Sequence, residues 1–225
     1  MVELQYLGHS FFSIKDHGEI ILVDPVFNST KSSAKKLNSI PAKQKDMKKI
    51  SLILLTNEME EHFDKKAVQK IASENGAIVV AHDYILRDLD LSRDLKKPIM
   101  PNMEIFLKGF KITTTTAHCP QSFCPTGYLI EASGKTIYHA GVTKLLDSFS
   151  NIDADVALLP MSNISMDVID VVRAAKIIKP KTIIPMQYDI YGSGTFDPKE
   201  LNKRIKESVL NSETVILKPG KKFKV

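Results

Sequence analysis

The sequence predicts an α/β protein in which two β-sheets pack face to face with helices on the outside. Two observations lead to this fold class. Short strand-like runs joined by hairpin turns alternate with β-α-β crossovers, and this arrangement occurs in both halves of the chain. In addition, residues 18–24 weakly resemble 134–140, and 51–56 weakly resemble 155–160. We therefore expect a single sandwich domain over residues 1–225.

The first half is predicted to contain a hairpin followed by a β-α-β unit. In chain order its elements are strands over 2–7, 11–15, 20–24 and 50–55, a helix over 63–73 and a strand over 77–81. The second and third strands flank Asp16, His17 and Gly18, a composition that is typical of a hairpin turn. The predominantly apolar run over 50–55 is typical of a strand that is covered on both faces.

The second half is predicted to repeat this arrangement. Its elements are strands over 110–116, 127–131, 136–139 and 155–159, a helix over 166–178, a strand over 182–185, a helix over 198–209 and a strand-like run over 214–217. Ser133 and Gly134 have the composition of a hairpin turn. Pro180 ends the first of the two helices, because proline disfavours helical geometry at the residue before it.

Composition excludes several classes of protein. No apolar run approaches the ~18 residues of a transmembrane helix, and the N-terminal residues lack the pattern of a signal peptide. Two Cys in 225 residues are too few for a disulfide framework. We therefore expect a cytoplasmic protein with free thiols and no membrane partner.

A lysine-rich segment is the main feature of the charge distribution, in a chain whose formal net charge is +5. Seven Lys lie between Lys31 and Lys49, with Asp46 as the single acid. No aromatic residues interleave with these lysines, so the segment lacks the stacking platform of a nucleic-acid surface. We interpret it as a solvated loop. A rim that faces an anionic ligand and weak nucleic-acid binding are the alternatives, and a homo-oligomer is compatible with the sequence.

Polar residues at the ends of the predicted strands are the candidates for a functional site. In layered α/β folds, ligands bind outside the carboxyl ends of the strands. Four of the six His lie at or just after such ends, namely His9, His62, His118 and His139. A lone His is often a packing residue, but four at strand ends favour a shared pocket.

The strand ends also carry a family resemblance. The matching segments are 6–11, 21–25, 50–56, 116–118, 134–141, 155–160 and 184–188. In these segments the chain resembles the metallo-β-lactamase-fold superfamily, and within it the metal-dependent hydrolases related to L-ascorbate 6-phosphate lactonase. The resemblance covers nearly the whole chain. It implies an αββα four-layer sandwich whose active cleft lies between the sheets at one edge.

The chain departs from the family in its metal-binding signature. That signature is T-H-x-H-x-D-H, in which the two spaced His serve one metal and the Asp-His pair serves the other. Here the segment reads T-N-E-M-E-E-H over 56–62, so Asn57 and Met59 stand at the two His positions and Glu61 at the Asp position. The last residue of the signature is retained as His62.

Three further ligand positions lie later in the chain. The resemblance places His118 at the third ligand of the first metal, Val142 at the bridging Asp and Gln187 at the last His. Valine offers no donor atom, and amide and thioether groups are poor zinc ligands. Without a metal, the family's hydrolysis loses its activated water. The resemblance therefore implies a two-metal site that is largely lost, and we expect a non-hydrolytic protein that binds a small ligand or a partner.

We predict a ligand-binding pocket and assign no catalytic residue. The pocket residues are His9, Asp24, Asn57, Met59, His139, Val142 and Gln187. We expect no resident cofactor. The alternative is a metal-dependent hydrolase of a lactone, ester or phosphoester that holds one zinc or other divalent metal on Glu61, His62 and His118. Asp24 also has a structural interpretation, in which its carboxylate orients a neighbouring His.

Two smaller groups of residues have open alternatives. Glu58, Glu60 and Glu61 are expected to favour the N-terminus of the following helix electrostatically, and metal-free acid-base catalysis is the alternative. Cys119 and Cys124 are interpreted as buried free thiols, and thiolate ligands of a rebuilt metal site are the alternative.

Overall fold

A computed structural model of the chain describes residues 1–27, 40–188 and 196–225. In these ranges two seven-stranded sheets pack face to face, and helices cover their outer sides. The four-layer sandwich predicted from the sequence is therefore confirmed. The first part of the lysine-rich segment, up to residue 39, lies outside the described residues.

The strands within the described residues fall into two sets of seven. The strands of the first sheet are β1 (Glu3–Gly8), β2 (Phe11–Asp16), β3 (Glu19–Val23), β4 (Leu52–Leu54), β5 (Ile78–His82), β6 (Lys96–Ile99) and β14 (Lys222–Lys224). Those of the second are β7 (Glu104–Leu107), β8 (Phe110–Thr116), β9 (Thr126–Ala132), β10 (Lys135–His139), β11 (Val156–Pro160), β12 (Thr182–Met186) and β13 (Glu213–Thr214). The helices are α1 (Lys65–Asn75), α2 (Asp83–Asp88), α3 (Val168–Ile178) and α4 (Pro198–Glu207).

The two sheets share one topology. The first has the order β14-β1-β2-β3-β4-β5-β6, and the second β13-β12-β11-β10-β9-β8-β7. In each sheet an antiparallel hairpin, β2-β3 or β9-β10, is followed by parallel pairing, β3 with β4 or β10 with β11. The weak similarity between the halves of the sequence therefore corresponds to equivalent strands.

Both hairpins turn in the same way. His17 and Gly18 have φ angles of 45° and 88°, and Ser133 and Gly134 have φ angles of 48° and 71°. Two consecutive residues with positive φ are the requirement of a type I′ turn, whose twist matches that of the flanking strands. These two turns confirm the predicted hairpins.

The hydrophobic core has three parts. Side chains from both sheets, among them Phe12, Leu54, Tyr128 and Leu158, fill the space between the sheets. A second cluster lies between the first sheet and the helices α1 and α2, and a third lies between the second sheet and α3 and α4. Strands β4 and β11 are buried along their whole length because each is covered on both faces.

Several element boundaries differ from the predicted ones. The helix predicted from residue 63 begins at Lys65, because the Asp64 side chain caps it by accepting a hydrogen bond from the Ala67 amide. Helix α2 was not predicted, since six residues are too few to show a helical period. Its cap is His82, which accepts a hydrogen bond from the Tyr84 amide at 3.2 Å. Strands β6, β7 and β14, of three or four residues each, were also not predicted.

Candidate functional site

Most of the predicted site residues gather at the edge where the strands of both sheets end. Asp24 follows β3, Asn57 follows β4 closely, His139 ends β10 and Gln187 follows β12. The two sheets meet here through a hydrogen bond from the Gln187 amide to the His9 carbonyl, 3.0 Å long. Because parallel strands end on the same side of a sheet, the topology brings together residues that are far apart in sequence.

The carboxylate of Asp24 holds the His62 ring in place. Both side chains are buried, with exposed fractions of 0% and 1%, and Asp24 Oδ2 lies 2.6 Å from His62 Nδ1. The Thr56 amide and hydroxyl also donate to Asp24, at 2.8 and 2.6 Å. A carboxylate only accepts hydrogen bonds, so the network assigns the proton to Nδ1 of His62. This contact agrees with the structural interpretation of Asp24, and its place in a ligand-binding pocket stays a prediction.

The remaining nitrogen of His62 is free to accept a hydrogen bond. An imidazole that carries its proton on Nδ1 has its lone pair on Nε2. This atom is buried, and no partner for it exists within the described ranges. A histidine that is oriented by a carboxylate in this way is typical of metal ligands and of general bases.

His139 has both ring nitrogens engaged with the backbone. Nδ1 accepts a hydrogen bond from the Gly141 amide at 3.2 Å, and Nε2 donates to the Ser10 carbonyl at 2.9 Å. Burial lowers the pKa of this ring, so it stays neutral near pH 7. His139 therefore joins the two sheets and has no lone pair left for a metal or a proton.

His9 is also kept neutral by its surroundings. Burial, with an added contribution from repulsion by His62, holds the pKa of His9 well below its usual range. The two rings meet edge to face, with their centroids 5.2 Å apart. His9 thus packs beside His62 as an uncharged side chain.

Asn57 stabilises the loop that follows β4. Its Oδ1 accepts a hydrogen bond from the Met59 amide at 2.9 Å, and its Nδ2 donates to the Thr56 hydroxyl at 3.0 Å. Both ends of this buried amide are therefore engaged within the loop. The Met59 side chain is half-buried beside it.

Gln187 and Val142 occupy the second-sheet side of the edge. The Gln187 side chain donates from Nε2 to the Gly141 carbonyl at 3.2 Å, and its buried Oε1 has no donor within the described chain. Val142 is fully buried and offers no polar atom.

Glu61, His62 and His118 do not form a cluster of metal ligands. Glu61 is half-buried and His118 is exposed, whereas the ring of His62 lies in the interior. In the part of the chain that the structure describes, no group of three His, Cys, Asp or Glu side chains could hold a metal ion. A structural or catalytic zinc needs three or four such donors, so the donor set does not fit the family's metal centre.

Glu58 has a role that the sequence did not reveal. Its carboxylate accepts hydrogen bonds from the Ser122 hydroxyl at 2.9 Å and the Phe123 amide at 2.6 Å, and so anchors a loop 64 residues away. Burial acts to raise the pKa of this carboxyl, but hydrogen bonds from the loop outweigh burial and lower it. Glu58 lies outside the first turn of α1, whose N-cap is Asp64, and its carboxylate is engaged by the loop at 122–124. No local sequence signal marks a contact of such long range.

Both cysteines are free and buried, as the sequence predicted. The Cys124 thiol donates a hydrogen bond to Glu58 at 3.2 Å. Burial and the neighbouring Glu58 carboxylate raise the pKa of this thiol to about 12. Cys124 is therefore protonated near pH 7, which argues against its use as a thiolate ligand.

The helices of the described ranges carry no candidate for a membrane span, since none is both long and apolar enough. Four lysines of the lysine-rich segment are described, and all four are exposed: Lys43, Lys45, Lys48 and Lys49. This exposure agrees with a solvated loop in that part of the segment.

Comparison with known proteins identifies the family. Residues 3–187 match the model of the Beta-lactamase superfamily domain. A UPF0173 metal-dependent hydrolase of Staphylothermus marinus is 32% identical over an alignment of 243 residues that covers 99% of each chain. A UPF0173 metal-dependent hydrolase of Pyrococcus horikoshii is 29% identical over an alignment of 238 residues that covers 100% of each chain.

A solved structure has a similar fold over the whole chain. This structure is Igni18, described as a novel metallo hydrolase from the hyperthermophilic archaeon Ignicoccus hospitalis. The two sequences are 25% identical, and the structures superpose with a TM-score of 0.81. The match covers 100% of this chain and 99% of that chain. The narrower resemblance to relatives of L-ascorbate 6-phosphate lactonase stays a prediction. The chain belongs to the β-lactamase superfamily and, within it, to the family of UPF0173 metal-dependent hydrolases.

Proposed function

We propose that this chain is a member of the UPF0173 family that binds a small molecule or a partner and does not perform two-metal hydrolysis. One observation carries the proposal: the described residues place no three His, Cys, Asp or Glu side chains where they could share a metal ion. The relatives are named metal-dependent hydrolases, so on this proposal the chain has kept the fold and lost the reaction.

The hydrogen bonds at the sheet edge support this proposal. The amide of Asn57 is engaged at both ends within its own loop, and Val142 is an apolar core residue. Both ring nitrogens of His139 form hydrogen bonds with backbone groups. These contacts stabilise the edge of the sandwich, and neither His139 nor Val142 has a side-chain lone pair left for a divalent cation.

A hydrolase with one metal is the second candidate. The buried Nε2 of His62, oriented by Asp24, favours it, because this arrangement suits a metal ligand. Glu61 and His118 would have to complete the site, and His118 would have to move from its exposed position. The substrate would then be a lactone, an ester or a phosphoester, and nucleic-acid binding through the exposed lysines is the weakest alternative.

Calorimetric titration of zinc into the chelator-treated protein tests the two candidates. For a protein without the metal centre, we expect no zinc binding tighter than that of the His62→Ala variant, whose ring donor is missing. The control for folding is the far-ultraviolet circular dichroism of both proteins. Tight binding of one zinc that His62→Ala abolishes would replace our proposal with the one-metal hydrolase.

A further inference from the structure

A pocket of about 560 Å³ lies outside the predicted site, between the loop after β4 and helix α2. We name it the aromatic pocket, and its lining residues are Glu58, Phe63, Tyr84, Ile85, Arg87 and Asp88. Its volume is in the range of small-molecule sites, which is ~300–1,000 Å³. Ile85 is buried and Phe63 packs against the same cluster of side chains, so these two residues form an apolar wall of the pocket.

Two exposed aromatic rings lie together at the aromatic pocket: Tyr84 lines it, and Phe123 contacts Tyr84. Tyr84 is 55% exposed and Phe123 is 75% exposed, and their ring centroids lie 5.0 Å apart. Exposed aromatic side chains that adjoin a pocket are typical of binding sites, because a ligand can cover them. The Phe123 amide donates to Glu58, and this hydrogen bond keeps its ring beside that of Tyr84.

The charges of the aromatic pocket favour a cation. Arg87 pairs with Asp83 one turn earlier in α2, and Asp88 pairs with Lys65 at 2.8 Å, so these four charges compensate one another. Glu58 has no ion pair within the described ranges, and the donors that it accepts from are neutral groups of residues 122–124. The pocket therefore keeps one uncompensated negative charge next to two aromatic rings.

We propose that the aromatic pocket binds a small organic cation, an ammonium group on a flat or apolar body. The ammonium group would gain from the negative charge of Glu58 and from the faces of Tyr84 and Phe123, which attract cations. The apolar body would cover Phe63 and Ile85. An anion would have to separate Arg87 from Asp83 and would be repelled by Glu58. This inference does not depend on whether the chain binds a metal.

Nuclear magnetic resonance titration of the full-length protein with benzyltrimethylammonium tests the proposal. We expect saturable shifts of the backbone amides of residues 58, 63 and 84–88. Benzyl alcohol and benzoate, which are of similar size but neutral and anionic, should bind at least several-fold more weakly.

Variants of the two rings give the quantitative test. Removal of both exposed rings in Tyr84→Ala/Phe123→Ala should raise the Kd by about five- to thirty-fold, as expected for two exposed cation–π contacts. The matched control is Phe106→Ala, which removes a ring that is 73% exposed on β7. Absence of shifts, equal binding of benzoate or benzyl alcohol, or an equal loss in Phe106→Ala would overturn the proposal.

Discussion

His62 in the first half of the molecule and His139 in the second are both buried where strands end, but their partners differ. His62 is held by a carboxylate through one nitrogen, and its other nitrogen has no partner among the described residues. His139 is held by backbone groups through both nitrogens. Burial at the sheet edge therefore does not by itself mark a functional histidine, and the atoms that each ring leaves unengaged are the better guide.

Loss of the carboxylate that holds His62 should have the largest effect on stability. Asp24→Ala removes the buried carboxylate that accepts hydrogen bonds from His62 Nδ1 and from the amide and hydroxyl of Thr56. Each unsatisfied buried group costs about 1–3 kcal/mol, so the loss of this shared acceptor should cost about 3–5 kcal/mol. Urea unfolding of the variant and of the wild type measures this loss. A loss below about 1 kcal/mol would show that Asp24 does not hold the ring.

Replacement of the second histidine should cost less. His139→Phe keeps an aromatic ring but leaves the Ser10 carbonyl and the Gly141 amide without their partners. We expect a loss of about 2–3 kcal/mol by urea unfolding, since each unsatisfied buried group costs about 1–3 kcal/mol. A loss below about 1 kcal/mol would contradict the role of His139 in joining the two sheets.

The neutral buried histidines also predict a pH dependence of stability. The pKa values of His9 and His139 lie below 6.5 in the folded protein, so the unfolded chain binds more protons. Stability should therefore fall as the pH drops below about 6.5, by up to ~1.4 kcal/mol per pH unit for each ring. Urea unfolding at several pH values between neutrality and mild acid measures the slope. His139→Phe should reduce this slope, and an unchanged slope would mean that His139 is protonated in the fold.

An exposed ion pair of the second half should have the smallest effect. Lys181 Nζ lies 2.6 Å from an Asp155 carboxylate oxygen, but the Lys181 side chain is 77% exposed. Water screens such pairs, so Lys181→Ala should unfold at the same urea concentration as the wild type within error. A clear loss of stability would indicate that this pair contributes more than its exposure suggests.

Features that depend on neighbouring residues were predictable from the sequence. The two hairpin turns follow from His17-Gly18 and Ser133-Gly134, and α1 and α3 follow from their apolar periodicity. The repeat of the two halves also predicted the equivalent strands. Helix α2 was missed because its six residues are capped by His82, which no pattern marked as a cap.

The partners of the site residues were less predictable, because they depend on long-range contacts. The sequence indicated that Asp24 could orient a histidine, but not that the ring would be that of His62, 38 residues later. It also could not separate the buried His62 from the exposed His118, since burial is set by the packing of the two sheets. The contact of Glu58 with the loop at 122–124 is also a long-range contact that the sequence did not predict.

The stoichiometry of bound zinc tests the central claim most directly. The protein would be expressed in zinc-supplemented medium and dialysed without chelator, beside a variant with the family's ligands restored: Asn57→His, Met59→His, Glu61→Asp, Val142→Asp and Gln187→His. Elemental analysis should find far less than one zinc per wild-type chain and close to two per chain of the folded variant. One or more zinc ions per wild-type chain would contradict the loss of the metal centre.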